Sequence, residues 1–292
     1  MQKASSTKNV KTMQLFALRE NERISARQAL KQYDYRCLEC LNPVRVRSGP
    51  HRQPHFFHTT SHPLCTQQGK TLFHLQTQER ILQTLPQGDV ELEVPFPNIG
   101  RIADAVWESK QLIFEVQCSS ISEQEARKRI HDYETLGYRV IWILHEKRFN
   151  RRQLSAAEQF LVNRECYFSS IDIEGGGMIY DQFAIVRNNK RLFRGPRLEI
   201  SLAHPFSLCQ LPLNDQFPKE LLQRASMRHI GFRGDLFDRL HATEPQDWFA
   251  MKRLEQHFNE KQGSCQSIKS GLSWIKHVYL SLLHAFLEKH SA

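Results

Sequence analysis

Asp104 and Glu115 are the two acids that interrupt the strand-like runs of GRIADAVWESKQLIFEVQCSS (residues 100–120), otherwise rich in Ile, Val, Phe and Trp. A carboxylate in an apolar strand implies a partner, because burying a lone charge is costly. If Ser109-Lys110 is a two-residue turn, paired residue numbers sum to 219, Glu108 faces Gln111, and Asp104 stands opposite Glu115. Their Cβ atoms would then be about 4.5–5.5 Å apart on one face. Like charges that close need a shared proton, a basic side chain such as Arg101 or Arg129, or a divalent cation. A hard cation such as Mg²⁺ takes one or two carboxylates and keeps several waters, the arrangement phosphodiester hydrolysis uses. Gln117, two residues beyond Glu115, points to the same face, where its amide could orient a water. A three-residue loop would shift the register by one and turn the acids apart.

A second group of ligand-type residues lies upstream. RCLECLNPVRVRSGPHRQPHFFHTTSHPLC holds Cys37, Cys40, His51, His55, His58, His62 and Cys65 within 29 residues. A Cys-x-x-Cys pair takes one edge of a tetrahedral Zn²⁺, and a second pair from a following loop closes the site. His58 and Cys65 are our choice for that second pair, with His55 the rival to His58. Such a site is structural, and with so little apolar material around it the metal is a source of stability. Arg45, Arg47 and Arg52, with the pair Phe56/Phe57, are candidates for phosphate and base contacts.

The elements that must position these groups are legible in outline. Residues 12–20 and 44–48 read as short strands. TLFHLQTQERILQTL (71–85) spaces Leu72, Leu75, Ile81, Leu82 and Leu85 as an amphipathic helix, stopped by Pro86 and Gly88. ELEVPFPNIG reads as a proline-broken edge strand. Ser122-Glu123-Gln124-Glu125 is a capping box, Gly137 a helix stop, and residues 138–144 a strand buried on both faces. Strand, capped helix and buried strand make a β-α-β unit within an α/β core over residues 71–150. Past Asn150, residues 154–165 and the apolar stripe of WIKHVYLSLLHAFLEKH predict a mostly helical region over 151–292, interrupted by a glycine turn at 175–177 and a basic, turn-rich stretch at 187–200.

Bulk numbers narrow the classes. At 292 residues and 40 % hydrophobic, the chain can bury a core. The net charge of +9 divides unevenly, with 12 Lys/Arg against 4 Asp/Glu in residues 1–70, 9 against 12 in 71–150, and 19 against 15 in 151–292. A basic module beside an acidic segment suits a polyanion held next to a cation-dependent site. No stretch reaches the roughly 18 apolar residues of a membrane span, and the first residues lack a secretory apolar core. A cytoplasmic location is therefore expected, and seven cysteines, an odd number, suit metal binding better than a disulfide framework.

Asp104, then Glu115-x-Gln117 on the next strand, then a helix and a buried strand, resembles the PD-(D/E)xK nuclease core, with Gln where that motif more often has Lys. More closely, RIADAVW, IFEVQCSSIS, Arg129 and Tyr133 on the helix, and VIWIL resemble the competence protein CoiA family over roughly residues 12–150. The resemblance implies that Asp104 and Glu115 hold Mg²⁺ or Mn²⁺ and that Gln117 orients water. It also implies that His74 points toward the site, with Gln78 where many members have Lys. Arg129 and Tyr133 become candidate substrate contacts, and the family's CxxC followed by His-Phe-x-His supports His58 in the Zn²⁺ set. The expected protein is thus a zinc-bearing module (1–70), a PD-(D/E)xK-like mixed-sheet core (71–150) and the helical region (151–292). Its expected activity is cleavage of DNA during transformation or recombination, beside DNA-uptake or recombination proteins. The alternatives are an accessory DNA-binding protein with weak or absent catalysis, and a defence or restriction-type endonuclease.

Overall fold

Val44 and Val46 alternate with Arg45 and Arg47 in a segment where only the valines are buried, the period-2 pattern of a strand with one covered face. The computed structural model describes residues 13–49, 52–60, 65, 67, 70–208, 217–241, 252–253 and 255–257. The chain divides into two units, Met1–Ser120 with Ile171–Gly176, and Ile121–Ser170 with Gly177–Ala292.

In the first unit, β1 (Phe16–Arg19), β2 (Glu22–Ser25), β3 (Tyr35–Arg36), β4 (Pro43–Gly49) and β5 (Arg52–His58) form an antiparallel sheet in the order β2-β1-β3-β4-β5. Its buried face gathers Ala17, Tyr35, Val44, Val46 and Phe56 with Cys37 and Cys65. The apolar content is small, as the composition predicts, and the cysteines are part of it.

Helix α1 (Leu72–Thr84) begins where the Thr71 hydroxyl accepts the His74 N–H at 3.4 Å. It ends at Leu85, whose backbone is extended ahead of Pro86. The buried face carries Leu75 and Ile81 but also His74, Thr77 and Gln78. Three antiparallel strands follow, β6 (Val90–Phe96), β7 (Arg101–Trp107) and β8 (Leu112–Gln117). Residues 171–176 return to this unit, where the Gln76 side chain donates to the Ile173 carbonyl (3.2 Å) and Arg80 to that of Gly175 (2.8 Å).

The β7–β8 turn differs from expectation in length but not in consequence. Glu108–Lys110 form a 3-10 turn closed by the Gln111 N–H on the Glu108 carbonyl (3.0 Å), with Gln111 left-handed at φ 52°. Asp89 secures it, accepting from the Trp107 indole at 2.6 Å and from both the amide and the hydroxyl of Ser109. The last pair is Trp107↔Leu112, so residues 108–111 lie outside the ladder in place of a two-residue turn. Two extra residues preserve parity, and the register still sums to 219 in Ala105↔Phe114 and Val106↔Ile113.

In the second unit, α2 (Glu123–Glu134) starts at the Ser122 cap, whose hydroxyl accepts the Glu125 N–H at 3.0 Å, and Gly137 follows it at φ 84°. β9 (Arg139–His145) is buried from Val140 onward. Then come α3 (Ala156–Leu161), β10 (Cys166–Ser169) parallel to β9, and β11 (Ile179–Asp181) antiparallel to β10. β12 (Ala184–Arg187) and β13 (Lys190–Arg194) form a hairpin whose turn residues Asn188 and Asn189 both have positive φ, as a tight hairpin turn requires. β14 (Leu198–Glu199) pairs with β11, and β15 (Ser201–Ser207) with β16 (Ile230–Arg233); α4 (Lys219–Met227) and α5 (Leu236–His241) complete the described elements.

A mostly helical region after residue 150 does not hold over these residues, because seven strands, β10 to β16, lie between 166 and 233. They are two to seven residues long, too short for alternation to stand out in sequence. The apolar stripe at 274–287 lies outside the described residues. Among the described residues no helix is long and apolar enough to cross a membrane.

Candidate functional site

Cys37, Cys40, His58 and Cys65 come together, their ligand atoms all within 4.8 Å of one another. Strand alternation explains the choice of histidine. His58 lies two residues from Phe56 on β5 and shares its face, whereas His55, itself buried, is an odd step away and its Nδ1 lies 2.9 Å from the Gln53 carbonyl. His58 Nε2 is 3.3 Å from Cys40 Sγ and 3.7 Å from Cys65 Sγ, and Cys37 Sγ is 3.7 Å from Cys65 Sγ. A tetrahedral Zn²⁺ with S ligands near 2.3 Å and N near 2.0 Å sets ligand-to-ligand edges of about 3.5–3.8 Å, so three sulfurs and one nitrogen at these spacings fit Zn²⁺.

The electrostatics agree with that donor set. The hydrogen bond from Cys65 holds the Cys37 thiol far below its usual range against the effect of burial, while the same bond and burial push Cys65 up. Beside this pair, the Glu39 N–H donates to Cys37 Sγ at 3.4 Å, the kind of outer contact that orients a metal ligand, while the Glu39 carboxylate accepts the Gln67 N–H (3.0 Å).

The second site is built on Asp104, in β7. Its Oδ1 lies 3.0 Å from His74 Nε2, 3.0 Å from Lys70 Nζ and 3.2 Å from Gln78 Nε2. Oδ2 accepts the Val116 N–H at 2.9 Å. His74 and Gln78 are one turn apart on the buried face of α1, which is how one helix reaches the same carboxylate twice. Gln78 also donates to the Asp104 carbonyl (3.1 Å), taking a backbone acceptor near the point where the β7–β8 ladder stops. Burial disfavours the Asp104 charge, but His74 and Lys70 outweigh it and hold the carboxyl well below the usual range.

Glu115 is next in the register and is 1 % exposed, beside Asp104 at 4 %. On the other side of β7, the pairs Leu92↔Ala105 and Val94↔Ala103 bracket Glu93 opposite Asp104. Glu93 sits at φ 52°, a left-handed residue within a strand, and its side chain is fully buried. Its Oε2 accepts the N–H groups of Leu15 and Phe16 (3.1 Å each) and its Oε1 the Lys70 ammonium (3.0 Å). Burial pulls Lys70 toward neutrality, and the charges of Glu93 and Asp104 overcome it, raising its pKa above the lysine range. Three successive strands therefore carry one buried acid each, with Lys70 between two of them.

Sequence reasoning missed Lys70 and Glu93. The alternation of ELEV puts Glu93 with Glu91 on the outer face, and only the positive φ turns it inward; Lys70 precedes the cap of α1 and carries no motif. Gln117 is buried, its amide donating to the Ser119 carbonyl (2.8 Å) and hydroxyl (3.2 Å). Arg45 and Arg47 alternate outward on β4, Arg45 paired with Asp34 (3.3 Å) and Arg47 over the Phe57 ring (4.4 Å). Arg52 opens β5, and its side chain lies outside the described residues, as do His51 and His62. In the second unit Arg129 bonds Glu125 one turn back (3.0 Å), and Tyr133 is buried. Among the described residues, the Cys/His quartet is the one group of three or more such ligands this close, and His74, Asp104 and Glu115 do not form another. In donor type, Asp104 and Glu115 still fit a hard cation, which takes carboxylate oxygens and waters.

Two successive segments of the chain match models of one family. Residues 18–67, spanning most of the Cys/His module, match the N-terminal domain of competence protein CoiA. Residues 70–171, which hold Lys70, His74, Glu93, Asp104, Glu115 and Gln117, match its nuclease-like domain. No curated protein and no solved structure matches. The two matched segments follow each other in order and together span more than half of the sequence, and the chain belongs to the competence protein CoiA family.

Proposed function

We propose that this chain is a metal-dependent DNA nuclease with a PD-(D/E)xK-type site, acting on DNA in transformation or recombination. The observation that carries the reading is the row Glu93, Asp104 and Glu115: three buried acids on adjacent strands, with the Lys70 ammonium 3.0 Å from an oxygen of both Glu93 and Asp104. Asp104 and Glu115 would hold Mg²⁺ or Mn²⁺, which when bound supplies a Lewis acid for the phosphate and a more acidic water. Lys70 keeps Glu93 neutralised. His74 orients the Asp104 carboxylate from α1, and Gln117, fixed by Ser119, presents its amide carbonyl toward a water. Arg45, Arg47, Arg52 and Arg129 remain the proposed DNA contacts, whereas Tyr133, only 1 % exposed, serves the core and is set aside as a contact; Zn²⁺ on Cys37, Cys40, His58 and Cys65 braces the basic module.

A second reading, a DNA-binding accessory protein without useful catalysis, is favoured by one specific observation. Both oxygens of Asp104 are already taken by nitrogen donors, and the positions where relatives of the motif carry Lys are Gln78 and Gln117. Incubating the purified protein with linear single- and double-stranded DNA in Mg²⁺ or Mn²⁺, beside Asp104→Ala and Glu115→Ala, separates the two. Cleavage lost in both variants is the expected result. Cleavage that survives both overturns the site, and intact binding with no wild-type cleavage favours the accessory reading.

A further inference from the structure

We propose that a basic recess in the second unit is a docking site for the phosphate backbone of DNA, an inference that rests on the reading of DNA as the substrate. The recess, of about 540 Å³, is lined by Lys147, Arg151, Arg152, Arg194 and Arg197, and Glu146 is the one acid among its lining residues. All five cationic residues are exposed. Glu146 accepts the Tyr180 hydroxyl (2.7 Å) and pairs with one of the five, Arg197 (2.9 Å), so it offsets a single charge of the recess.

The fold holds these charges together against their repulsion. Asn150 is buried at φ 57°; its N–H donates to Glu158 (2.7 Å) and its side-chain amide to Tyr180 (3.0 Å) and Gln182 (2.8 Å), which fixes the loop after β9. Arg194 then donates to the Asn150 carbonyl (2.8 Å), Arg151 to that of Lys147 (2.9 Å), and the Arg191 N–H to that of Arg152 (2.7 Å). The loop and the β13–β14 segment are thereby joined around the recess. A guanidinium has five N–H donors, so Arg151 and Arg194 keep donors beyond those bonds. Four of the five cations are arginines, whose planar fork matches phosphate oxygens. Among the described residues no aromatic lines the recess, so bases have nothing there to stack on and recognition is of the backbone, without sequence preference. The charge was visible in sequence as the basic stretch 187–200, but its partner segment at 147–152 was not.

The test is a salt series of DNA binding by the full chain, read by anisotropy of a labelled duplex and a labelled single strand. Each neutralised duplex phosphate contributes about −0.9 to the slope of log K against log salt. Arg151→Gln with Arg152→Gln is expected to weaken binding roughly tenfold or more near 0.1 M salt and to make the slope shallower by about 2. Arg151→Lys with Arg152→Lys should keep the slope, and an unchanged thermal melt excludes misfolding. Lys147→Gln, whose side chain is exposed, provides a second variant expected to lower the slope by about 1. Affinity and slope unchanged in the Gln variants overturn the proposal, as does wild-type binding that acidic polypeptide displaces as well as DNA does. Asp104→Ala separates the two readings: it should abolish cleavage and leave this binding intact. Binding that falls in the Gln variants without wild-type cleavage supports the recess and removes the nuclease.

Discussion

Glu93 and Asp104, on neighbouring strands, share one buried ammonium: Lys70 Nζ lies 3.0 Å from an oxygen of each. The arrangement joins a residue just ahead of α1 to β6 and β7, and Glu93 extends it to β1 through the Leu15 and Phe16 amides. It links the segment before the nuclease-like core to the strand bearing Asp104.

Lys70→Ala should therefore destabilise by about 3–5 kcal/mol, the usual cost of leaving buried carboxylates without their cation. Urea denaturation of variant and wild type measures it. A loss below about 1 kcal/mol would show that water reaches these acids and that the ion pair is dispensable.

Freshly purified protein should carry about one Zn per chain by elemental analysis. Cys37→Ser should lose it together with the fold of the basic module, because metal affinity there is folding free energy. His58→Ala should behave likewise, while His55→Ala should retain the metal. Retention in His58→Ala with loss in His55→Ala would reverse the ligand assignment.

Gln117→Ala should lower the cleavage rate by roughly tenfold to a hundredfold, the scale of an outer partner at a metal site, without changing DNA affinity. An unchanged rate would remove Gln117 from the reaction and leave it as a hydrogen-bond partner of Ser119.

Asp235 gives a pH signature. Burial, and then the charge of Asp181, push its carboxyl up to about 6, against about 3.9 in an unfolded chain. A raised carboxyl binds its proton more tightly when folded, so its contribution favours folding at low pH and is lost as pH rises through about 6. Asp104 has the opposite sign: its depressed value supplies stability above about pH 4 that fades only as pH falls further. Between about pH 4 and 6 the wild-type denaturation midpoint should thus decline relative to that of Asp235→Asn. Parallel midpoints across that range would refute the shift.

Much of the first unit was legible before folding, for a local reason. Period-2 alternation puts His58 with Phe56, and the even number of residues between Trp107 and Leu112 keeps the 219 register whether two or four of them form the turn. The Ser122 cap and the Gly137 stop, in the second unit, are likewise nearest-neighbour chemistry. The strands β10 to β16 were hidden, because two to seven residues hold too few repeats to declare a period.

Residue types and their spacing were enough to single out Cys37, Cys40 and Cys65 with a histidine beside them, the acids Asp104 and Glu115, and the amphipathic helix after Lys70, since each depends on one strand, one turn or one helix face. Lys70 and Glu93 were decided by packing over long range. A left-handed residue in mid-strand turns Glu93 into the core, and the ammonium that meets it arrives from 23 residues away. No local pattern encodes that meeting, because the free energy that makes it favourable exists only once both carboxylates have left water.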